Sequence, residues 1–209
     1  MNEDEIRRFL EEIKGHKNEC LFKVALFTGM RQAELMGLQW SDVDFNAGTI
    51  CIRQQLAHEK KKNGAYKLTV PKTEKSIRTI MPAPAVMEWL KERRLNQISD
   101  RLSCGNVWDN SIPDLVFTDE TGHHMCNTTL THQATRIGQK IGKPGFRFHD
   151  LRHSYAVAAI RAGDDIKTLS TNMGHTTVTI TLDLYAGFTG DMAKASSVRM
   201  GAYISNLTA

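Results

Sequence analysis

Three segments carry side chains that could bind or attack an anion. In His149-Asp150-Leu151-Arg152-His153-Ser154-Tyr155, a turn of about 100° per residue sets Leu151, Tyr155, Ala158 and Ala162 on one helix face and His149, Arg152 and His153 on another. Imidazole and guanidinium are then presented together, although a surface helix with its charges in water accounts for the pattern equally well. In Thr28-Gly29-Met30-Arg31-Gln32-Ala33-Glu34-Leu35, Arg31 falls in or beside the first turn of a helix, where the macrodipole already carries partial positive charge. A bound anion would relieve that conflict, since backbone N–H groups and a forked guanidinium together make a phosphate site. Pairing of Arg31 with Glu34 at i+3 is the alternative, and the stronger reading of that segment alone. In the third segment, Met173-Gly174-His175 precedes Tyr185 by one short helix. There Val178, Leu182 and Tyr185 share a helical face, so a buried structural tyrosine is the default reading of that helix by itself.

The elements that must position these residues are mostly helices. Ile6, Phe9, Leu10 and Ile13 recur at helical spacing over 2–14, with acidic residues in the first turn where the dipole favours them. A second helix over 17–28 ends at Gly29, and a third begins near Arg31, with Leu35 and Leu38 on its buried side. Residues 40–44 read as a loop. Strand composition appears at Thr49-Ile50-Cys51-Ile52, Lys67-Leu68-Thr69-Val70 and Ile77-Arg78-Thr79-Ile80, which predicts a small antiparallel three-stranded sheet. Its turns would lie at 59–64, between the first two strands, and at 73–76, between the last two. Pro82 and Pro84 close the sheet before a helix over 85–98, and 100–114 reads as loop. Beyond Asn127 helices are expected over 128–141, 149–162, 166–172, 177–185 and 191–204, separated by Gly142, Gly163, Gly174 and Gly187. No repeat or composition break divides the chain, so the expected fold is α+β, a mainly helical single domain.

Bulk properties narrow the function less. The 209 residues, 41% hydrophobic, suffice for one sizeable core. Lys plus Arg (27) exceed Asp plus Glu (23), and eight histidines can add charge below neutral pH. That balance permits nucleic acid without requiring it. Cys20, Cys51, Cys104 and Cys126 form no Cys-x-x-Cys pair, which excludes a zinc ribbon and a thioredoxin-like motif and fits a reducing cytosol. The acidic start Asn2-Glu3-Asp4-Glu5 is opposite to a signal peptide, and no apolar run approaches the ~20 residues needed to cross a bilayer. A location in the bacterial cytoplasm is expected.

Taken together, five segments in order resemble the tyrosine recombinase (lambda-type phage integrase) family, above all the integrases of phages and conjugative transposons. They are the Thr28–Leu35 segment, Val70-Pro71-Lys72-Thr73 followed by Ser76-Ile77-Arg78-Thr79-Ile80, His149-Asp150-Leu151-Arg152-His153-Ser154, Met173-Gly174-His175, and Thr181-Leu182-Asp183-Leu184-Tyr185. Each is weak alone; their order is specific. The resemblance implies one active site made of Arg31, Lys72, His149, Arg152, His175 and Tyr185, and site-specific recombination that integrates or excises a mobile element. In that reading Arg31 and Arg152 clamp the non-bridging oxygens, and Tyr185 attacks phosphorus to give a 3'-phosphotyrosine link that conserves bond energy for rejoining. Lys72 protonates the leaving 5'-oxygen, and His149 and His175 assist proton movement and hydrogen-bond the phosphate. No metal or other cofactor is expected, because arginines and a lysine supply the positive charge. Lys72 is preferred over its neighbours because it alone stands in the Pro-Lys-Thr context; Lys60, Lys61, Lys62 and Lys75 are expected to meet DNA backbone phosphates or water.

Two departures from the family pattern stand out. Nine residues separate His175 from Tyr185, one more than in many members. The chain also starts about where a catalytic domain should start, without the N-terminal core-binding and arm-binding domains that complete a clamp. The expectation is therefore a catalytic domain over 1–209 that binds duplex DNA weakly and in a salt-sensitive manner. It would be a monomer when free and a homotetramer on paired sites. Residues 190–209 would form a helix or tail exchanged between subunits, and accessory DNA-bending or directionality proteins would assist. Competing readings are a type IB topoisomerase-like relaxing enzyme, a catalytically silent DNA-binding module, and a metal hydrolase using His123, His124, His149, His153 and His175. The last lacks His-Glu-x-x-His or comparable ligand spacing.

Overall fold

The N-terminal helix is set by its own first turn. Asn2 accepts from the Glu5 N–H and Glu5 accepts from the Asn2 N–H, both at 2.8 Å, closing a reciprocal cap on α1 (Glu3–Glu12). Phe9 and Ile13 leave the inner face of this turn fully buried. The computed structural model describes residues 1–59, 65–71, 76–175 and 189–208. Helix α2 (Glu19–Thr28) buries Leu21, Phe22, Val24, Ala25 and Leu26, on more than one side. It is packed between α4 (Pro84–Cys104) and α6 (His149–Ala162). Phe9, Phe22, Phe146 and Phe148 join α1, α2 and the approach to α6, with ring centroids 5.8–6.1 Å apart and tilted or edge-on.

Helix α3 (Gln32–Met36) is one short turn and a half, and α5 (Asn127–Lys140) turns Leu130, Ala134 and Ile137 inward. The chain then runs through α6 to α7 (Ile166–Met173), whose first turn is capped by Asp165. A small second cluster, Ala156, Ala159, Ile160, Leu169 and Met173 with Tyr155 against it, packs α7 on α6. Helix α8 (Thr189–Thr208) leaves Val198, Met200, Tyr203, Ile204 and Leu207 exposed. No helix among the described residues is long and apolar enough to cross a membrane. The architecture is the expected α+β one, mainly helical with a small antiparallel sheet.

Strand pairing differs from the sequence expectation. The three-stranded sheet is β1 (Val43–Asp44), β2 (Thr49–Ile52) and β5 (Arg78–Ile80), in the order β1-β2-β5. The Lys67 strand instead belongs to a separate hairpin, β3 (Gln55–His58) with β4 (Tyr66–Thr69), registered Leu56 to Leu68. Gln55-Leu56-Ala57-His58 has no β-branched residue, so its strand character comes from the partner rather than from its own composition. Likewise 40–44, expected as loop, holds a 3₁₀ turn at Trp40–Asp42 before β1. Helix α4 also continues through 100–104, where a loop was expected. Its outer half carries Leu95, Ile98 and Leu102 at helical spacing, but that stripe faces solvent and packs on nothing in the core. Polar anchors hold it: the Gln97 amide nitrogen donates to the Leu115 carbonyl at 2.9 Å, and the Trp40 indole N–H donates to Gln97 at 2.6 Å. The helix expected over 177–185 lies outside the described residues.

Candidate active site: a cationic corner

Two left-handed turns build this corner. Gly29 (φ 63) ends α2, and a β-carbon placed there would meet the Tyr155 ring at 2.4 Å, so only glycine lets α2 and α6 approach this closely. Gly174 (φ 62) ends α7 in the same way, with room for a β-carbon denied by the Arg78 guanidinium at 2.7 Å. Between these turns lies Arg152 on α6. Its Nη1 donates to the Gly29 carbonyl and its Nη2 to the Met173 carbonyl, each at 2.5 Å. Arg152 thus ties the end of α2 to the end of α7.

Arg31 stands in extended conformation just before α3. Its Nη1 donates to Glu34 Oε1 at 2.7 Å, its Nη2 to the Gly174 carbonyl at 2.6 Å and its backbone N–H to Glu34 Oε2 at 2.8 Å. The i+3 pairing considered from sequence is therefore present. It does not use Glu34 up, because the same carboxylate meets a second guanidinium. Arg78 on β5 donates Nη1 to Oε1 at 3.0 Å and Nη2 to Oε2 at 2.9 Å. Its Nε donates to the Asn172 carbonyl at 2.7 Å. The Arg78 and Glu34 side chains are only 4% and 2% exposed, whereas that of Arg31 is 35% exposed.

Among the described residues, Arg31 and Arg78 share the one carboxylate of this corner and Arg152 stands near it without bonding it, which leaves two positive charges in excess. Burial alone would raise Glu34, but the bond and charge of Arg78, with the bonds from Arg31, outweigh it and hold the carboxyl below its usual range. Among the described residues, Arg152 bonds no carboxylate. Burial, followed by the charge of Arg31, pushes it down to about 9, so it stays cationic at neutral pH but is short of counter-charge. His175, immediately after the Gly174 turn, is lowered to about 4 by burial and then by the charges of Arg152, Arg31 and Arg78. It is neutral wherever the guanidiniums lack an anion. His149 lies one turn before Arg152 with its ring edge-on to His153 at 5.1 Å. Solvent reaches it, yet desolvation and the charges of His153 and Arg152 still lower it.

Of the sequence-predicted residues, the structure gathers Arg31, Arg152 and His175 around the two turns and places His149 beside Arg152. Lys72 and Tyr185, and with them Lys60, Lys61, Lys62 and Lys75, lie outside the described residues. The helix face expected to pack is only partly right. Leu151 is buried, but Ala156, Ala159 and Ile160 complete that surface while Ala162 is exposed. Arg152, expected on the solvent side, is itself buried, because carbonyls of the two turns take the place of water. Sequence reading passed over Arg78. Its signal was the strand period: the register that pairs Ile50 with Ile80 and Ile52 with Arg78 turns Arg78 to the buried side with Ile80 and leaves Ile77 exposed. Among the described residues, no group of three or more His, Cys, Asp or Glu is placed to hold a metal ion.

Comparison with known proteins bears on the family and the fold. The sequence matches the profile of the phage integrase family over residues 1–189. It is 34% identical to a XerC-like tyrosine recombinase of Caldanaerobacter subterraneus subsp. tengcongensis, over 88% of this chain and 49% of that protein. It is 25% identical to the transposase of transposon Tn916 from Enterococcus faecalis, over 95% of this chain and 49% of that one. The chain spans about half the length of the curated relatives it matches. In fold it resembles the Tn1549 transposon integrase solved with transposon right-end DNA, at a TM-score of 0.79 and 26% identity, covering 96% of this chain and 65% of that one. The XerA recombinase shares the fold at a TM-score of 0.68 and 22% identity. With a family match across nine-tenths of its length and the fold to go with it, the chain belongs to the phage integrase family.

Proposed function

We propose that the chain cleaves and rejoins duplex DNA in site-specific recombination of a mobile element, with Tyr185 as nucleophile and Arg31 and Arg152 as the phosphate clamp. The observation that carries this reading is the excess of guanidinium over carboxylate at the two glycine turns. A phosphodiester placed there would take over the hydrogen bonds that carbonyls now accept and would cancel much of the uncompensated charge. Those donors are already oriented, so they strengthen as charge grows on the non-bridging oxygens.

In the step proposed, the phenolic oxygen of Tyr185 forms a bond to phosphorus as the bond to the 5'-oxygen breaks. The phenol loses its proton to a nearby base, and Lys72 gives one to the departing 5'-oxygen, which leaves as a 5'-hydroxyl. His175 is suited to help with the first transfer. Its low proton affinity comes in part from the guanidiniums, so an anion bound to them raises that affinity when substrate is in place. His149 hydrogen-bonds the phosphate from the α6 side. Lys60, Lys61, Lys62 and Lys75 contact backbone phosphates, which makes binding fall with salt. The active assembly is a homotetramer on paired sites formed from free monomers, in which the exposed apolar residues of α8 dock on a neighbouring subunit. DNA-bending or directionality proteins act on that assembly.

The test is a nicked duplex that traps the cleaved product. The native chain is expected to form a covalent protein–DNA adduct on a denaturing gel, and Tyr185→Phe none. An adduct that persists in Tyr185→Phe overturns the nucleophile. Plasmid relaxation with no recombinant product points to the topoisomerase-like activity, and DNA binding with no adduct to a silent module.

A further inference from the structure

At the buried end of the corner lies Arg78, which takes no part in the proposed cleavage step. Arg78 covers both oxygens of Glu34, at 3.0 and 2.9 Å, while Arg31 reaches Oε1 through Nη1 and Oε2 only through its backbone N–H. Four donors therefore occupy the four acceptor sites of a carboxylate that is 2% exposed. This arrangement decides what Arg31 can do. Guanidinium and carboxylate pair best as a two-pronged fork, and in this corner Arg78 already holds that place. Arg31 is restricted to one prong, and a second of its guanidinium nitrogens, Nη2, is turned to the Gly174 carbonyl, a neutral acceptor that an anion displaces at small cost.

Arg78 is in turn pinned where it stands. Its Nε bonds the Asn172 carbonyl at 2.7 Å and its Nη1 the Ser76 carbonyl at 3.1 Å, and the missing side chain of Gly174 leaves room for the guanidinium. All three of its nitrogens are taken, Nη1 and Nη2 by Glu34 and Nε by the Asn172 carbonyl, whereas the terminal nitrogens of Arg152 rest only on carbonyls that an anion can displace.

We propose that Arg78 is a positioning residue for strand cleavage: by occupying both oxygens of Glu34 it prevents that carboxylate from capturing Arg31 as a two-pronged pair, and so keeps Arg31 available to the scissile phosphate. The proposal rests on the reading that Arg31 binds that phosphate. Removing Arg78 leaves a buried carboxylate bonded, among the described residues, by Arg31 alone, and the attraction that now stabilises the corner becomes a trap for the residue that must engage DNA. Removing Glu34 as well abolishes the trap.

The experiment compares the native chain, R78Q, E34Q and E34Q/R78Q in single-turnover adduct formation on the nicked duplex, with DNA affinity from fluorescence anisotropy and folding from thermal melts. R78Q is expected to form adduct roughly 30-fold more slowly at saturating DNA, since displacement of a phosphate-binding group by about an ångström can cost up to ~100-fold. Adding E34Q is expected to restore about tenfold of that loss, because the two residues are coupled and their effects do not add. A merely structural arginine predicts the reverse, with the double variant no faster than R78Q, and that result overturns the proposal. So does an R78Q whose folded fraction reacts at the native rate. Should R78Q fail to fold, E34Q/R78Q within about threefold of E34Q supports the proposal, and a deficit of about tenfold or more overturns it. No adduct from the native chain would instead overturn the underlying reading of the site, an outcome distinct from a native adduct that R78Q leaves untouched.

Discussion

Two charged regions of the molecule solve opposite problems. Along the seam between α1 and α5 and the turn that follows, Lys140 meets Glu12 at 2.6 Å and Lys143 meets Glu5 at 2.9 Å, each cation beside its own carboxylate. Solvent shares these contacts, and each of the two cations is matched by a carboxylate. At the cationic corner Arg31 and Arg78 share Glu34, and the other bonds of these two and of Arg152 go to the carbonyls of Gly29, Ser76, Asn172, Met173 and Gly174. A carbonyl is a weaker partner than a carboxylate for an arginine. The seam is electrically closed, while the corner is held together but left with unspent attraction for an anion. That difference, rather than the number of basic residues, separates a structural ion-pair surface from a phosphate site.

The contrast is broken most severely at Glu34. Glu34→Ala strands buried Arg78 without a counter-charge, and a loss of about 3–5 kcal/mol in urea unfolding is expected; a loss under about 1 kcal/mol would show that the corner is as solvent-shared as the seam. Gly174→Ala comes next. It forces a side chain into the left-handed region and against the Arg78 guanidinium, which should cost about 2–3 kcal/mol by the same measurement. His175 gives a smaller, pH-dependent effect. Its native pKa of about 4 lies below the ordinary 6.5, so between those values the unfolded chain binds more protons and stability falls as pH is lowered. His175→Gln should flatten part of the drop in urea midpoint between pH 7 and pH 5; an unchanged slope would mean that the guanidiniums do not act on this ring. The smallest effect belongs to the seam. Lys140→Ala is expected to change stability by less than about 1 kcal/mol and to leave adduct formation untouched. A larger loss would erase the distinction drawn between the regions.

Much of the framework could be read directly. The Asn2 and Glu5 cap, the glycine stops at Gly29, Gly163 and Gly174, and the helix over His149–Ala162 are local features, encoded within a turn or two of the residues concerned. Strand partners were less legible, since Gln55–His58 becomes a strand only by bonding to Tyr66–Thr69. The end of α4 was missed because residues 99–104 are mostly polar and their one large apolar side chain, Leu102, faces solvent.

For the site itself, the sequence determined the identity and order of the chemical groups, because motif segments retain their local spacing whatever the rest of the chain does. It also determined that Arg31 and Glu34 are neighbours, three residues apart at the start of a helix. The tertiary structure alone decided that Glu34 is shared. Arg78 comes from a strand more than forty positions away in the chain, and only the sheet register turns it inward to meet that carboxylate. Whether a guanidinium is spent or available depends on every charge within a few ångströms, and such a count can be made only once the chain has folded.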